Sequence, residues 1–293
     1  MFVVLGASGY VGGATVKCLR ASNKPVRAVL RSPSALQELK DIGCEVAFAD
    51  LRNERELRAA ISGAQAVQVL LPLEPSRVEL DYLTESIECI ASSLKHGRPD
   101  HVLALSDYGA HLVDDAGIAN VFGKSEDCLS TLTSGLTILR SCEHIQNWLP
   151  LIRRAHASGK LPSFHSPVSR QIPIVDAQDV GKIAAALLQR PMSAKTVVHV
   201  EGPQRHGTEE IASVLSGLLS RPISPIALER AAWHSALSAR TTGFYAELLC
   251  GMFDAHNRGI IDIDPANPQV LYGTSTLPDS LGKLVREHVS KGL

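Results

Sequence analysis

Neither sign of charge dominates this chain of 293 residues: 29 Lys and Arg stand against 30 Asp and Glu, for a formal charge of −1. Without a basic run there is no electrostatic footprint for a polyphosphate chain, which speaks against nucleic acid as a direct partner. No uncharged apolar run reaches the roughly 18 residues that a membrane-spanning helix needs. The opening Met1-Phe2-Val3-Val4-Leu5-Gly6 lacks the basic segment and longer apolar core of a secretory signal, so a soluble, cytoplasmic protein without a membrane partner is expected. The six cysteines, at 18, 44, 89, 128, 142 and 250, form no CxxC, and no two histidines stand at HxxxH or HExxH spacing. Neither a disulfide framework nor a metal site is expected. Aromatic residues are scarce at 4%, while hydrophobic residues reach 45%. The rest is an ordinary globular composition, long enough for two domains or one large α/β domain with an appendage.

What is present is a regular alternation. Phe2-Val3-Val4-Leu5 reads as a buried strand, followed by a glycine-rich turn and by Val11, Ala14, Thr15, Cys18 and Leu19 at helical spacing. Further strands are expected at 25–30, 46–49, 65–71, 101–105 and 136–139, the last reached through a helix from about Asp114 to Thr133. Apolar strands without polar alternation, separated by helices, predict a parallel sheet covered on both faces. Later, 171–175 reads as a strand ending at an N-cap, Asp176, for a helix carrying Val180, Ile183, Ala184, Leu187 and Leu188 on one stripe. Val197 to Val200 reads as another strand. Beyond about 225 a mostly helical region is expected, with a loop at 264–268.

The turn Gly6-Ala7-Ser8-Gly9-Tyr10-Val11-Gly12 lies between strand and helix. In that context backbone N–H groups and the positive end of the helix dipole form a seat for a pyrophosphate; a turn that merely closes the βα unit is the alternative. Gly6, Ala7, Ser8, Gly9, Tyr10 and Val11 are the candidate contacts. Enzymes that select NAD place a carboxylate about 20 residues on, at the end of the second strand. Here that strand ends in Leu30-Arg31-Ser32, and a guanidinium suits a 2′-phosphate, so NADP(H) is the expected cofactor.

These segments, with Asp50-Leu51 after the third strand, Lys124 and the strand end Leu139-Arg140, resemble the NmrA-like group of atypical short-chain dehydrogenases/reductases. The resemblance spans residues 1 to about 190. It implies a Rossmann doubly wound sheet over residues 1–150, to which segments near 171–200 return, and a smaller, mostly helical substrate region over 151–293, with NADP(H) between them. It further implies that Asp50 and Leu51 contact the adenine and that Leu70, Leu71 and Pro72 line the cofactor after the fourth strand; read alone, Asp50 is equally an N-cap.

Typical short-chain reductases protonate the substrate with the Tyr of a Tyr-x-x-x-Lys motif. Here the motif reads Asn120-Val121-Phe122-Gly123-Lys124, and an amide has no proton to give. Lys124 is kept, as in the related isoflavone and benzylic ether reductases, and is the first candidate for ribose binding and proton delivery. Ser106 and Tyr108, after the fifth strand, are further catalytic candidates, as catalytic groups gather at strand C-termini. In the segment that the resemblance puts beside the nicotinamide, His144 is a candidate titrating group, and Cys142 stands where most relatives have Pro, its thiol read as a packed hydrophobe. Phe164, His165, Trp233, His234, Phe244, Tyr245 and Phe253 are candidates for a pocket wall against a flat or apolar substrate, with core packing as the other reading.

Two functions follow. The first is an NADPH-dependent reductase that transfers a hydride to a small carbonyl, quinone or activated double bond. The second is an NADP(H)-binding redox sensor acting through a protein partner, for which loss of the Tyr would be no handicap. The sequence leaves open the substrate, the direction of reaction and whether the chain forms a homodimer.

Overall fold

The computed structural model describes residues 1–132, 135–190 and 194–289. The first half runs β1 (Phe2–Leu5), α1 (Tyr10–Ala21), β2 (Val26–Leu30), α2 (Leu36–Asp41), β3 (Glu45–Phe48), α3 (Glu54–Ile61), β4 (Ala66–Val69), α4 (Leu80–Gly97), β5 (His101–Asp107), α5 (Ile118–Leu129) and β6 (Gly135–Ser141). The second half is more broken. It runs β7 (Glu143–His144), α6 (Leu149–Ser158), β8 (Lys160–Ser163), β9 (Ile172–Val175), α7 (Ala177–Leu188), β10 (Thr196–Glu201), β11 (Arg205–His206), α8 (Thr208–Leu218), β12 (Ser224–Ala227), α9 (Arg230–Ser238), α10 (Gly243–Arg258), β13 (Val270–Tyr272) and α11 (Leu277–His288).

The main sheet has eight strands in the order β13-β10-β6-β5-β4-β1-β2-β3, all paired in parallel. Its inner strands are buried on both faces because helices cover both, while the edge strands β3 and β13 are partly exposed. Val4, Ala28 and Leu103 face Val16 and Leu19 of α1 and Val180 and Ala184 of α7. Val3, Val67 and Val102 face Leu57 and Ile61 of α3 and Ile90 and Leu94 of α4. The chain steps outward from β1 to β3, then crosses back to β4, so the winding reverses between β1 and β4. At such a switch point the loops after the two strands part and leave a crevice at their C-terminal ends. Gly6 follows β1 there, and Leu70 follows β4.

A second, smaller core joins Trp148, Ile152, Ile211, Leu215, Leu281 and Leu284, from the start and body of α6 and from α8 and α11. Two small sheets, β11-β9-β7 and β12-β8, flank it. Two details differ from the sequence reading. The fifth helix begins only at Ile118, because Gly117 has φ 58° and breaks the helical path before it; its expected last residue, Thr133, lies outside the described residues. The region after 225 is less uniformly helical than expected, since 224–227 pairs with β8 and 270–272 adds the eighth strand of the main sheet, next to β10. A three-residue edge strand carries too few alternations to be read from sequence. Among the described residues no helix is long and apolar enough to cross a membrane.

Candidate functional site

The turn after β1 is built for close approach. Gly6 has φ 66°, a region that side chains disfavour. A Cβ on Gly12 would stand 2.3 Å from the Gly6 carbonyl oxygen, so the first turn of α1 folds tightly onto the loop only with glycine there. The N-cap of α1, Gly9, offers no side-chain acceptor, and the first turn has no acidic residue. Its leading N–H groups therefore remain available to an external anion, reinforced by the helix dipole. The glycine turn and the uncapped helix N-terminus fit a dinucleotide pyrophosphate. A cavity of about 370 Å³ runs from Ser8, Gly9 and Tyr10 along α1 past Lys17 and Glu38 to Lys182 and Lys283.

The other cofactor candidates fall around this turn. Leu70 packs against Gly6, where an added Cβ would meet its Cδ2 at 2.4 Å; Leu71 is buried, and Pro72 half-buried. Asp50 is not an N-cap: Asn53 caps α3, and the Asp50 Oδ1 accepts the Arg52 N–H at 2.9 Å. Leu51 beside it is half-buried. Arg31 stands at the end of β2 with its side chain about half exposed, and its Nη1 lies 2.5 Å from Oε2 of Glu74, in the loop after β4. Its guanidinium is thus partly exposed and paired with Glu74.

Two ionic networks organise the C-terminal ends of β5, β6 and β10. In the first, Arg140 donates Nε and Nη2 to the two oxygens of Glu126, at 2.9 and 2.7 Å, and Nη1 to Asp264 at 2.8 Å. Ser106 donates its hydroxyl to the same Glu126 at 2.5 Å. Burial works to raise the Asp264 pKa, but hydrogen bonds from Asn267, the Ala266 N–H and Arg140 outweigh it and hold the group at about 2. In the second network Tyr108 donates its phenol to Glu201, which Arg205 binds through Nε and Nη2 at 3.1 and 2.7 Å; Arg205 also holds Asp262.

Three of the expected catalytic side chains already have hydrogen-bond partners within the protein. The Ser106 hydroxyl is committed to Glu126. Tyr108 is 1% exposed, its phenol donates to Glu201, and burial together with that carboxylate drives its pKa upward. His144 accepts or donates at Ser141 Oγ at 2.9 Å, and burial pulls its pKa down to about 4, which leaves the imidazole neutral at physiological pH. Cys142 is buried with its thiol pKa raised by desolvation, in keeping with a packed hydrophobe.

Asn120 also has a structural role. Its Oδ1 accepts the Ala116 N–H at 2.9 Å and its Nδ2 donates to the Leu112 carbonyl at 2.8 Å, so the amide ties down the loop before α5. Lys124, one turn further along α5, is exposed and has no hydrogen bond or ion pair among the described residues.

Between Ser106 and Tyr108, at the tip of β5, lies a carboxyl that sequence reasoning passed over. Asp107 is half-buried, accepts the Gly109 N–H at 2.9 Å and makes no direct ion pair among the described residues. Burial raises its pKa to about 6; the Gly109 N–H and Arg140 pull the other way, while the charges of Glu143 and Glu126 add to the rise. Burial, together with the charge on Asp107, pushes the Tyr245 phenol of α10 up to about 12. A strand-end carboxylate with no cation beside it was the available signal. The aromatic residues expected to wall a pocket instead pack on one another: Phe164 stacks on Phe253 at 4.7 Å, Trp233 meets both edge-on, and His165 is buried against Phe253 and His256. His234 is exposed, and Phe244 and Tyr245 join a cluster with Val78 and Tyr82.

Residues 6–123 match the model of a family described as NAD(P)H-binding. The NAD(P)H azoreductase of Xenophilus azovorans is 26% identical over 229 residues, which cover 78% of this chain and 77% of that protein. The crystal structure of the Citrobacter sp. triphenylmethane reductase complexed with NADP(H) aligns with a TM-score of 0.79 at 17% identity, over 97% of this chain and 100% of that one. The NADPH-dependent quinone oxidoreductase of Escherichia coli, complexed with NADPH, aligns with a TM-score of 0.78 at 19% identity, over 97% and 99% of the two chains. At these identities the two structures share the fold.

Proposed function

We propose, from the match of residues 6–123 to an NAD(P)H-binding family, that the protein is an NADPH-dependent reductase of the NmrA-like, atypical short-chain dehydrogenase/reductase type acting on quinone or azo acceptors. The observation that carries the reading is the tight turn after β1 with an uncapped, acid-free helix N-terminus behind it. The likeness to the azoreductase supports the choice of an electron-poor double bond as acceptor.

In this reading the α1 N-terminus and residues 6–11 bind the pyrophosphate, and Arg31 binds the 2′-phosphate. Asp50 and Leu51 meet the adenine, and Leu70, Leu71 and Pro72 shield the cofactor from the β4 side, with Cys142 a packed residue behind the nicotinamide end. Bound NADPH supplies the hydride. Lys124 holds the ribose and screens developing negative charge on the acceptor. Asp107 holds the proton that the missing Tyr would have given, because a carboxyl with a pKa of about 6 is still partly protonated near neutrality. No metal enters this scheme.

Purified protein given NADPH and a panel of quinones, azo dyes and aldehydes should consume the cofactor with a quinone or an azo dye. Cofactor binding without turnover on any acceptor would favour the sensor instead. Arg31→Ala should weaken NADPH roughly 10- to 150-fold, the equivalent of a charge-assisted hydrogen bond of about 1.5 to 3 kcal/mol, and leave NADH nearly unchanged. Calorimetric titration of both cofactors checks this, and equal losses would remove the 2′-phosphate assignment.

A further inference from the structure

The guanidinium assigned to the 2′-phosphate already has an anionic partner. Glu74 Oε2 lies 2.5 Å from Arg31 Nη1 and 3.4 Å from Arg77 Nη1, so one carboxylate oxygen is shared between two arginines. The Arg31 and Glu74 side chains are 51% and 28% exposed, so a ligand can reach both. Arg77 is anchored on its other side, with its guanidinium 5.4 Å from the centroid of the Tyr82 ring.

The backbone that carries Glu74 is pinned. The Glu74 N–H donates to the Pro72 carbonyl at 3.0 Å, and the Arg77 N–H to the Glu74 carbonyl at 2.9 Å. From α10's N-cap, the Thr242 N–H donates to the Pro75 carbonyl at 2.9 Å, and the Thr242 hydroxyl donates to the Val78 carbonyl at 2.5 Å. Leu73 and Val78 pack with Tyr82 and Tyr245. With its main chain fixed at both ends, Glu74 can exchange partners by side-chain rotation alone.

Resting on the assignment of Arg31 to the 2′-phosphate, we propose that Glu74 is a cofactor-specificity residue, a latch that occupies Arg31 and yields it to the 2′-phosphate of NADPH by turning onto Arg77. A phosphate dianion and a carboxylate compete for one guanidinium, and the loser must find another cation or solvent. Arg77 is that cation. NADH, with a hydroxyl in place of the phosphate, does not open the latch, and it gains nothing from Glu74, whose carboxylate is already engaged. The latch therefore lowers NADPH affinity below what Arg31 alone would give.

The test titrates NADPH and NADH, and the fragments adenosine 2′,5′-bisphosphate and AMP, into the full-length wild type, Glu74→Gln, Arg31→Ala and the Arg31→Ala/Glu74→Gln double variant. Glu74→Gln should tighten NADPH and the bisphosphate by roughly 3- to 10-fold, in the range of an exposed ion pair plus the relief of repulsion, and leave NADH and AMP within about twofold. In the Arg31→Ala background the same substitution should give at most a small part of that gain, because its target is gone. An unchanged or weakened NADPH affinity in Glu74→Gln, while Arg31→Ala still loses NADPH selectively, would overturn the latch and leave the cofactor assignment standing. If Arg31→Ala costs NADPH nothing, the assignment falls, and the latch with it.

Discussion

Arg140→Ala should destabilise the protein by about 3 to 5 kcal/mol at neutral pH, the usual result of removing one partner from a buried ion pair. The Arg140 side chain is 6% exposed and holds two carboxylates, Glu126 at 7% and Asp264 at 10%. Deleting the guanidinium leaves both anions desolvated with their remaining hydrogen bonds only. Lysine cannot restore the arrangement, since one ammonium does not reproduce the bidentate grip on Glu126 together with the bond to Asp264. Urea unfolding of wild type and variant measures the loss.

The pH dependence separates this cause from simple loss of packing. Asp264 sits at about 2 when folded, below the ordinary carboxylate value of 3.8, so its contribution to wild-type stability is present above about pH 4 and disappears as pH falls towards 2. In the variant Asp264 lacks its cation, and burial favours its protonated form. The stability gap should therefore narrow as pH is lowered from about 5 to 3. A gap that stays constant would assign the loss to packing. The network also matters to the site, because Glu126 lies two residues beyond Lys124 on the same helix and fixes α5 against β6.

Asp107→Asn should lower kcat/KM for acceptor reduction by roughly 10²- to 10⁴-fold, the range for removing a general acid. With a carboxyl pKa of about 6, the wild-type kcat/KM should fall as pH rises through 6, and the variant should lose that limb. Stability should move the other way. Asp107 binds its proton more tightly folded than unfolded, so its ionisation costs stability as pH climbs from about 4 through 6. An amide that carries no charge escapes this cost, and the variant should be at least as stable as wild type at pH 7 to 8. Lower activity with equal or higher stability is the signature of a functional group. An unchanged pH profile at wild-type rate would remove Asp107 from the reaction and return the proton to Lys124 or to solvent.

The tight turn after β1 was legible because it is local. A four-residue apolar strand, three glycines and an amphipathic helix dictate a tight βα turn wherever they occur in this order, and the absence of a carboxylate at the end of β2 is a fact about neighbouring residues. The alternation of apolar strands with helices likewise implies a parallel sheet, since each strand's lack of polar alternation means that both faces are covered.

The proton chemistry was not legible in the same way. Ser106, Tyr108 and His144 are suitable residue types at suitable strand ends, and only the tertiary structure shows that the first two hydrogen-bond Glu126 and Glu201 and that burial lowers the pKa of the third. Those partners lie 20 and 93 residues away in the chain. Ion pairing, desolvation and the side-by-side placement of Arg31 with Glu74 depend on which distant segments fold together. Sequence alone fixed where an anion could be seated, because backbone geometry and helix dipoles are set by adjacent residues; which side chains remain free to act was decided by long-range packing.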